Sequence, residues 1–541
     1  MTWRRCVERG ICGLLVSLWA SSLIGQTRPR LIVVVVVDQM REDYLERFAP
    51  YENGGFHDLL MEGADFTNAN YQHLPTETCV GHAALLSGRN PDHTGIVGNN
   101  WYDSGAGKME YCVEDANAPL IEGGAGASPR NFLGQNFSDW LRASYPGARV
   151  YSISLKDRAA VLLGGHHPDG AFWYSHKTGQ FTTSRYYADR LPQWVQEFNA
   201  AKPAEHYAGK IWMPLFDKNS PAYHRDTVAG HFPHPMPSRT GPDLYNAVYG
   251  SPFGDELLET FAEATVSANH LGDNGRAAVP DLLTISFSSN DAVGHAYGPD
   301  SPEIADEQIR LDRSVGRLIA FLDKRLGKKN VLWVLSADHG SEPTPEAEKE
   351  LRHNAAAQRI PFSEALQATE AQLNSIFHLD GKPGWFSASA DAMLYFNRAM
   401  LAKHHIALDE ARHALCTQVH GVPGISGFYD ASQLGGISGW PGDLLRNSYF
   451  PERSGDVYYL TKEWTLFNSK PTGTSHGDPW PYDTHVPFVI AGWKIQPRRI
   501  TRNVQVTDIA PTLADLMGVR WEPSEGIDGQ SRKSLIRFAQ K

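Results

Sequence analysis

The chain has 541 residues, 41% of them hydrophobic and 11% aromatic, enough to bury a large core. Fifty Lys and Arg face 61 Asp and Glu, for a formal net charge of −11. That balance excludes the broad basic face of a nucleic-acid-coating protein, so no nucleic-acid partner is expected, but a local cationic site for a small anion remains open.

The first residues have three parts. Arg4, Arg5 and Arg9 are positive, Ile11 to Leu23 is an apolar run, and Ala20-Ser21-Ser22 and Gly25-Gln26 supply small residues. This is the pattern of a secretory signal peptide over residues 1–25, and it predicts a periplasmic or secreted protein. An uncleaved anchor is the alternative, although the run is short for a span of about 20 residues. No later segment is long and apolar enough, so no stable membrane insertion is expected after cleavage. Cys6 and Cys12 leave with this segment. Cys79, Cys112 and Cys416 remain, enough for one disulfide whose pairing the sequence does not choose.

Leu31–Val37 is a continuous β-branched run, which reads as a central parallel strand covered on both faces. Similar runs recur at Arg149–Ser154, Leu282–Phe287, Val331–Ser336 and Val486–Ala491. Between them lie helical patterns. The clearest is Ser301–Leu326, with Ile304, Leu311, Val315, Leu318, Ile319 and Leu322 at helical spacing. The alternation predicts an α/β domain with a mainly parallel sheet. Residues 26–541 read as one domain with inserted cap segments, one aromatic-rich at about 160–280 and one at about 341–475. The second begins with a charged helical stretch, Glu346–Arg359. Val506–Val519 reads as a closing helix.

Polar residues just past buried strands carry the chemistry, because ligands of open α/β sheets bind beyond the strands' carboxyl ends. Asp38 follows the first strand, and Asp291 follows another with His295 four residues on. Asp338-His339-Gly340 follows a third, and His476 lies in the turn Gly473-Thr474-Ser475-His476-Gly477. Mixed Asp and His ligands suit zinc better than magnesium. Each alone has an ordinary structural reading, such as a helix N-cap for a strand-end Asp; their joint occurrence points to metal.

Thr78, in Pro75-Thr76-Glu77-Thr78-Cys79-Val80-Gly81-His82, precedes an apolar stretch and falls at or near a helix N-terminus. Free N–H groups there favour an alkoxide and a bound phosphate; a plain N-cap is the alternative. Asn99 can donate to a phosphoryl oxygen. Lys156 and Arg158, two apart after a strand, can supply a point charge and a planar fork, or can form a solvated Lys-Asp-Arg turn.

The order of these motifs resembles the alkaline phosphatase superfamily, and within it the bacterial phosphate-irrepressible alkaline phosphatases with a threonine nucleophile. The matching segments are Val37-Asp38, Pro75 to Ala83, His93 to Asn99, Ser154 to Arg158, Asp291 to Pro299, Asp338 to Gly340 and Thr474 to Pro487. The resemblance implies a three-layer sandwich with a mainly parallel central sheet flanked by helices. It implies two zinc ions per chain, one held by Asp291, His295 and His476, the other by Asp38, Asp338 and His339 with Thr78 close by. His485 is a rival for the place of His476. Asn99, Lys156 and Arg158 map onto the phosphate-binding residues.

The activity so implied is hydrolysis of small-molecule phosphate monoesters through a phosphothreonine. The related nucleotide pyrophosphatase/phosphodiesterase branch lacks the Lys-x-Arg pair, which would clamp a dianion and crowd a diester's second substituent. A diesterase on the same scaffold, or an inactive secreted zinc-binding protein, are the alternatives; a sulfatase would need Cys or Ser at the nucleophile. A free thiol at Cys79 would make the site sensitive to oxidation. The physiological substrate and oligomeric state stay open.

Overall fold

The computed structural model of the chain describes residues 28–217, 219–223, 232–273, 275, 279–522 and 526–539. The expected signal segment, with Cys6 and Cys12, lies outside the described residues. The strands that position the site are Leu31–Val37 (β1), Ala64–Phe66 (β2), Val150–Ser154 (β3), Gly170–Ser175 (β4), Gln180–Thr182 (β5), Asp281–Phe287 (β6), Val331–Ser336 (β7), Phe386–Ala390 (β8), Met393–Phe396 (β9), Ile425–Asp430 (β10), Val457–Thr461 (β11), Phe488–Gly492 (β12) and Arg498–Ile500 (β13). Nine of them form one sheet in the order β13-β2-β12-β7-β1-β6-β3-β4-β5. Strands β7, β1, β6, β3 and β4 run parallel to one another. Every residue of β1, β6 and β7 is buried, the two-sided coverage that their continuous apolar runs require.

One strand departs from the expected direction. In the run read as Val486–Ala491, the part from Phe488 forms β12, which pairs antiparallel with both β7 and β2, while Val486 pairs with Ala69. An apolar run specifies that both faces are covered, not which way the chain runs.

Helices cover both faces. On one side Gly55–Glu62 (α1), Pro252–Asn269 (α5), Ser289–Tyr297 (α6) and Pro302–Leu326 (α7) pack together; on the other lie Thr78–Ser87 (α2), Phe137–Ser144 (α3), Asp157–Gly164 (α4) and Ile509–Met517 (α8). The result is the three-layer α/β sandwich that the resemblance implies. α7 begins where Ser301 accepts a hydrogen bond from the Ile304 N–H at 3.2 Å, with Pro302 in the first turn.

Within residues 160–280, β4 and β5 extend the main sheet itself, and α5 packs on α7. Residues 341–475 carry a second, antiparallel sheet in the order β8-β9-β11-β10 over its own apolar core, including Trp385, Leu394, Leu415 and Val457. The stretch Glu346–Arg359 is helical only over Pro345–Leu351. His353 then takes a left-handed φ of 54°, and Gln358–Ile360 continues as a strand. Among the described residues no helix is long and apolar enough to cross a membrane.

Candidate active site

Four loops at the carboxyl ends of β1, β3, β6 and β7 meet the start of α2. Asp38 follows β1, Lys156 and Arg158 follow β3, Asp291 and His295 stand on α6 after β6, and Asp338 and His339 follow β7. Thr78 is the first residue of α2. Its N-cap is Glu77, so Thr78 is not itself the cap. Gly81 allows α2 to lie against the loop after β7: a Cβ there would stand 1.9 Å from the Asp338 carbonyl oxygen.

The three histidines share one arrangement. The Nδ1 atoms of His295, His339 and His476 lie 3.0, 2.9 and 2.9 Å from the carbonyl oxygens of Thr474, Gly340 and Thr76. A carbonyl only accepts, so each Nδ1 carries the hydrogen and each Nε2 of a neutral ring presents a lone pair. Those lone pairs face carboxylates. His295 Nε2 is 3.1 Å and His476 Nε2 3.7 Å from Asp291 Oδ1. His339 Nε2 is 3.5 Å from Asp38 Oδ1 and 3.4 Å from Asp338 Oδ2. Burial first, then the neighbouring His339 and His295, hold His476 well below the usual imidazole range, and burial pulls His339 down to about 4. Burial, with Asp338 beside it, pushes Asp38 up to about 7.

For His339 and His476, neutral rings whose lone pairs face carboxylate oxygens, that contact repels unless a cation lies between; against its burial, Asp291 holds His295 above the usual imidazole range. Asp38 Oδ1, Asp338 Oδ2 and His339 Nε2 are completely buried and make no hydrogen bond, which is costly for polar atoms without a cation. The donor set therefore fits metal. Ligand atoms of Asp291, His295 and His476 come within 4.8 Å of one another, as do those of Asp38, Asp291 and His339. His485 is elsewhere: its Nε2 lies 3.1 Å from the Thr67 carbonyl oxygen, on a strand paired with Asn70.

The Lys156 ammonium sits 2.5 Å from Asp38 Oδ2, 2.6 Å from Asp291 Oδ2 and 3.5 Å from Thr78 Oγ1. Against its burial, Asp291 and Asp38 hold its pKa above the ordinary lysine range. Asn99 Oδ1 accepts from the Cys79 N–H at 2.9 Å, and the Asn99 N–H donates to Glu77 Oε2 at 2.7 Å. Arg158 lies on the first turn of α4, with Nη1 3.4 Å from the Tyr111 hydroxyl and Nε buried without a partner.

Two residues at the site have roles that the sequence does not assign. Gln39, at a left-handed φ of 64°, donates its backbone N–H to Asp338 Oδ1 at 3.1 Å and its amide to Asp291 Oδ1 at 2.8 Å. His82 stands between the Thr78 carbonyl (2.8 Å), Ser286 Oγ (2.9 Å) and Asp338 Oδ2 (3.2 Å). The pairing left open by the sequence is Cys79 with Cys112, so Cys79 carries no free thiol, and Cys416 is unpaired.

The span that carries these residues is similar to known proteins. The family model for type I phosphodiesterase / nucleotide pyrophosphatase matches residues 32–481. The chain is 33% identical over 528 residues to alkaline phosphatase PhoV of Synechococcus elongatus, covering 94% of this chain and 93% of that protein. It is 31% identical to alkaline phosphatase PafA of Elizabethkingia meningoseptica, over 95% of this chain and 96% of that one. The crystal structure of wild-type alkaline phosphatase PafA superposes with a TM-score of 0.85, covering 94% of this chain and 98% of that one.

Proposed function

The chain belongs to the type I phosphodiesterase / nucleotide pyrophosphatase family, and from that premise we propose an exported, zinc-dependent alkaline phosphatase that works through a phosphothreonine at Thr78. Its alkaline phosphatase relatives, similar over nearly the whole length, make it a phosphate monoester hydrolase acting on small-molecule esters. The observation that carries the finer reading is the convergence beside Thr78 of three imidazole lone pairs and three carboxylates. That set suits two zinc ions, one on Asp291, His295 and His476, the other on Asp38, Asp338 and His339 next to Thr78.

Bound zinc would lower the pKa of the threonine hydroxyl and offset charge on the departing oxygen. The remaining work falls to the chain. Thr78 Oγ1 attacks phosphorus in line, the ester oxygen leaves, and phosphate is carried on Thr78 until water releases it. The Lys156 ammonium, 3.5 Å from Oγ1, favours the deprotonated oxygen. The Cys79 N–H orients the Asn99 amide by its oxygen, which leaves Nδ2 to donate to a phosphoryl oxygen. Arg158 supplies a fork for two more. Buried carbonyl partners hold the three imidazoles in one tautomer, so the ligand atoms are preorganised.

Export rests on the N-terminal pattern and on the Cys79–Cys112 disulfide, which suits an oxidising compartment such as the periplasm. The family also contains diesterases, so the monoester preference is the part to test. Arg158→Ala should lower kcat/KM for an aryl phosphate about 100-fold, and for its methyl diester by less than tenfold. A wild-type enzyme that prefers the diester would overturn the monoesterase reading.

A further inference from the structure

A cavity of about 500 Å³ opens onto the site and is lined in part by Asn99, His295 and His476. These residues belong to the proposed phosphate clamp and to one proposed metal site, so a group attached to the bound phosphorus can extend into it. Most of its other lining residues come from the 341–475 segment. Phe362 and Tyr459 stack with ring centroids 5.3 Å apart, and Phe467 meets Phe362 edge-on at 5.4 Å. Phe362 and Phe467 are only partly buried and line the cavity. An exposed aromatic face inside a cavity is an unused surface for a flat partner.

Apart from the two histidines and Tyr459, the ionisable side chains of the lining are carboxyls. Glu77, Glu342, Asp391 and Asp478 line the cavity, and among the described lining residues there is no Lys or Arg. Glu342 is 2% exposed, and its Oε1 makes no hydrogen bond. A buried acceptor without a donor is unfavourable until a donor or cation arrives. A phosphatase pocket ordinarily gains from positive charge; Glu77 holds the Asn99 N–H, and the other three carboxyls face whatever group extends beyond the clamp.

We propose that this cavity is a leaving-group subsite that takes a planar aromatic leaving group bearing a cationic or hydrogen-bond-donating substituent, and disfavours one with further negative charge. The ring packs on Phe362 and Phe467, and the substituent reaches Glu342, Asp391 and Asp478. This rests on the monoesterase reading above.

Two aryl esters of matched phenol reactivity provide the test: O-phosphotyramine, with an ammonium side arm, and the O-phosphate of para-hydroxyphenylpropionate, with a carboxylate. The wild-type protein should favour the ammonium ester by about tenfold or more in kcat/KM. Glu342→Gln should reduce that ratio at least threefold. Phe362→Ala, with Phe362→Leu as the milder change, should lower kcat/KM for both aryl esters several-fold more than for phosphoethanolamine. Ratios taken within one preparation cancel any loss of folded protein. A wild-type ratio near one, or a Phe362→Ala loss equal across all three esters, overturns the subsite while leaving the monoesterase reading standing. Failure to hydrolyse any of the three overturns both.

Discussion

Gln39 and His82 hold the carboxylates of the site from behind. The backbone and side chain of Gln39 bind Asp338 and Asp291, and His82, bonded to the Thr78 carbonyl and to Ser286 Oγ on β6, packs 3.2 Å from Asp338 Oδ2. Groups in that position typically carry 10–100-fold in metal affinity or activity. His82→Ala should therefore lower zinc content and kcat by about that factor, measured by metal analysis of the purified protein beside its turnover. Unchanged zinc and unchanged rate would mean that His82 is only a buried packing residue. Gln39 is not legible in the sequence, and His82 lies in the Pro75–Ala83 segment that carries the resemblance but has no role that the sequence assigns. Its partners Ser286 and Asp338 lie hundreds of residues away, so only the folded chain brings them together. The choice between His476 and His485 has the same character: two histidines nine residues apart, of which only His476 comes near Asp291.

Helix α2 couples the proposed nucleophile to the metal loop. Its start at Thr78 was readable, because a Thr-rich turn precedes an apolar run. Its close approach to Asp338 was not. A methyl group at position 81 would meet the Asp338 carbonyl oxygen at 1.9 Å, so helix or loop must shift. Gly81→Ala should cost about 1–3 kcal/mol in stability and lower activity further than that loss explains, because the displaced loop carries Asp338 and His339. Chemical denaturation alongside steady-state rates reads both; wild-type stability and rate would contradict the packing described. Where the sequence misled, direction or local backbone was at stake. The run ending at Ala491 is buried as expected but antiparallel, and the charged stretch after Glu346 stops being helical before His353, which takes a left-handed φ.

At the scale of the molecule, a mainly parallel sheet between two helical layers brings distant strand ends to one place, and this architecture was legible from the recurring two-faced apolar runs. The Cys79–Cys112 pairing was not, since three cysteines allow three pairings. The bridge closes a loop with a sequence separation of 33 and anchors the first turn of α2. Removing it should cost about 3–4 kcal/mol, seen as a lower denaturation midpoint for Cys112→Ser or after reduction. No change would place the pairing in doubt. The central claim is that the chain transfers the phosphoryl group of a monoester to Thr78. Brief reaction of the purified zinc-loaded protein with a phosphorus-labelled aryl phosphate, acid quenching and peptide mapping tests it directly. Label is expected on the peptide containing Thr78 and none in Thr78→Ala, which also loses turnover while keeping its zinc. Turnover by Thr78→Ala at the wild-type rate, or label on another residue, would contradict it.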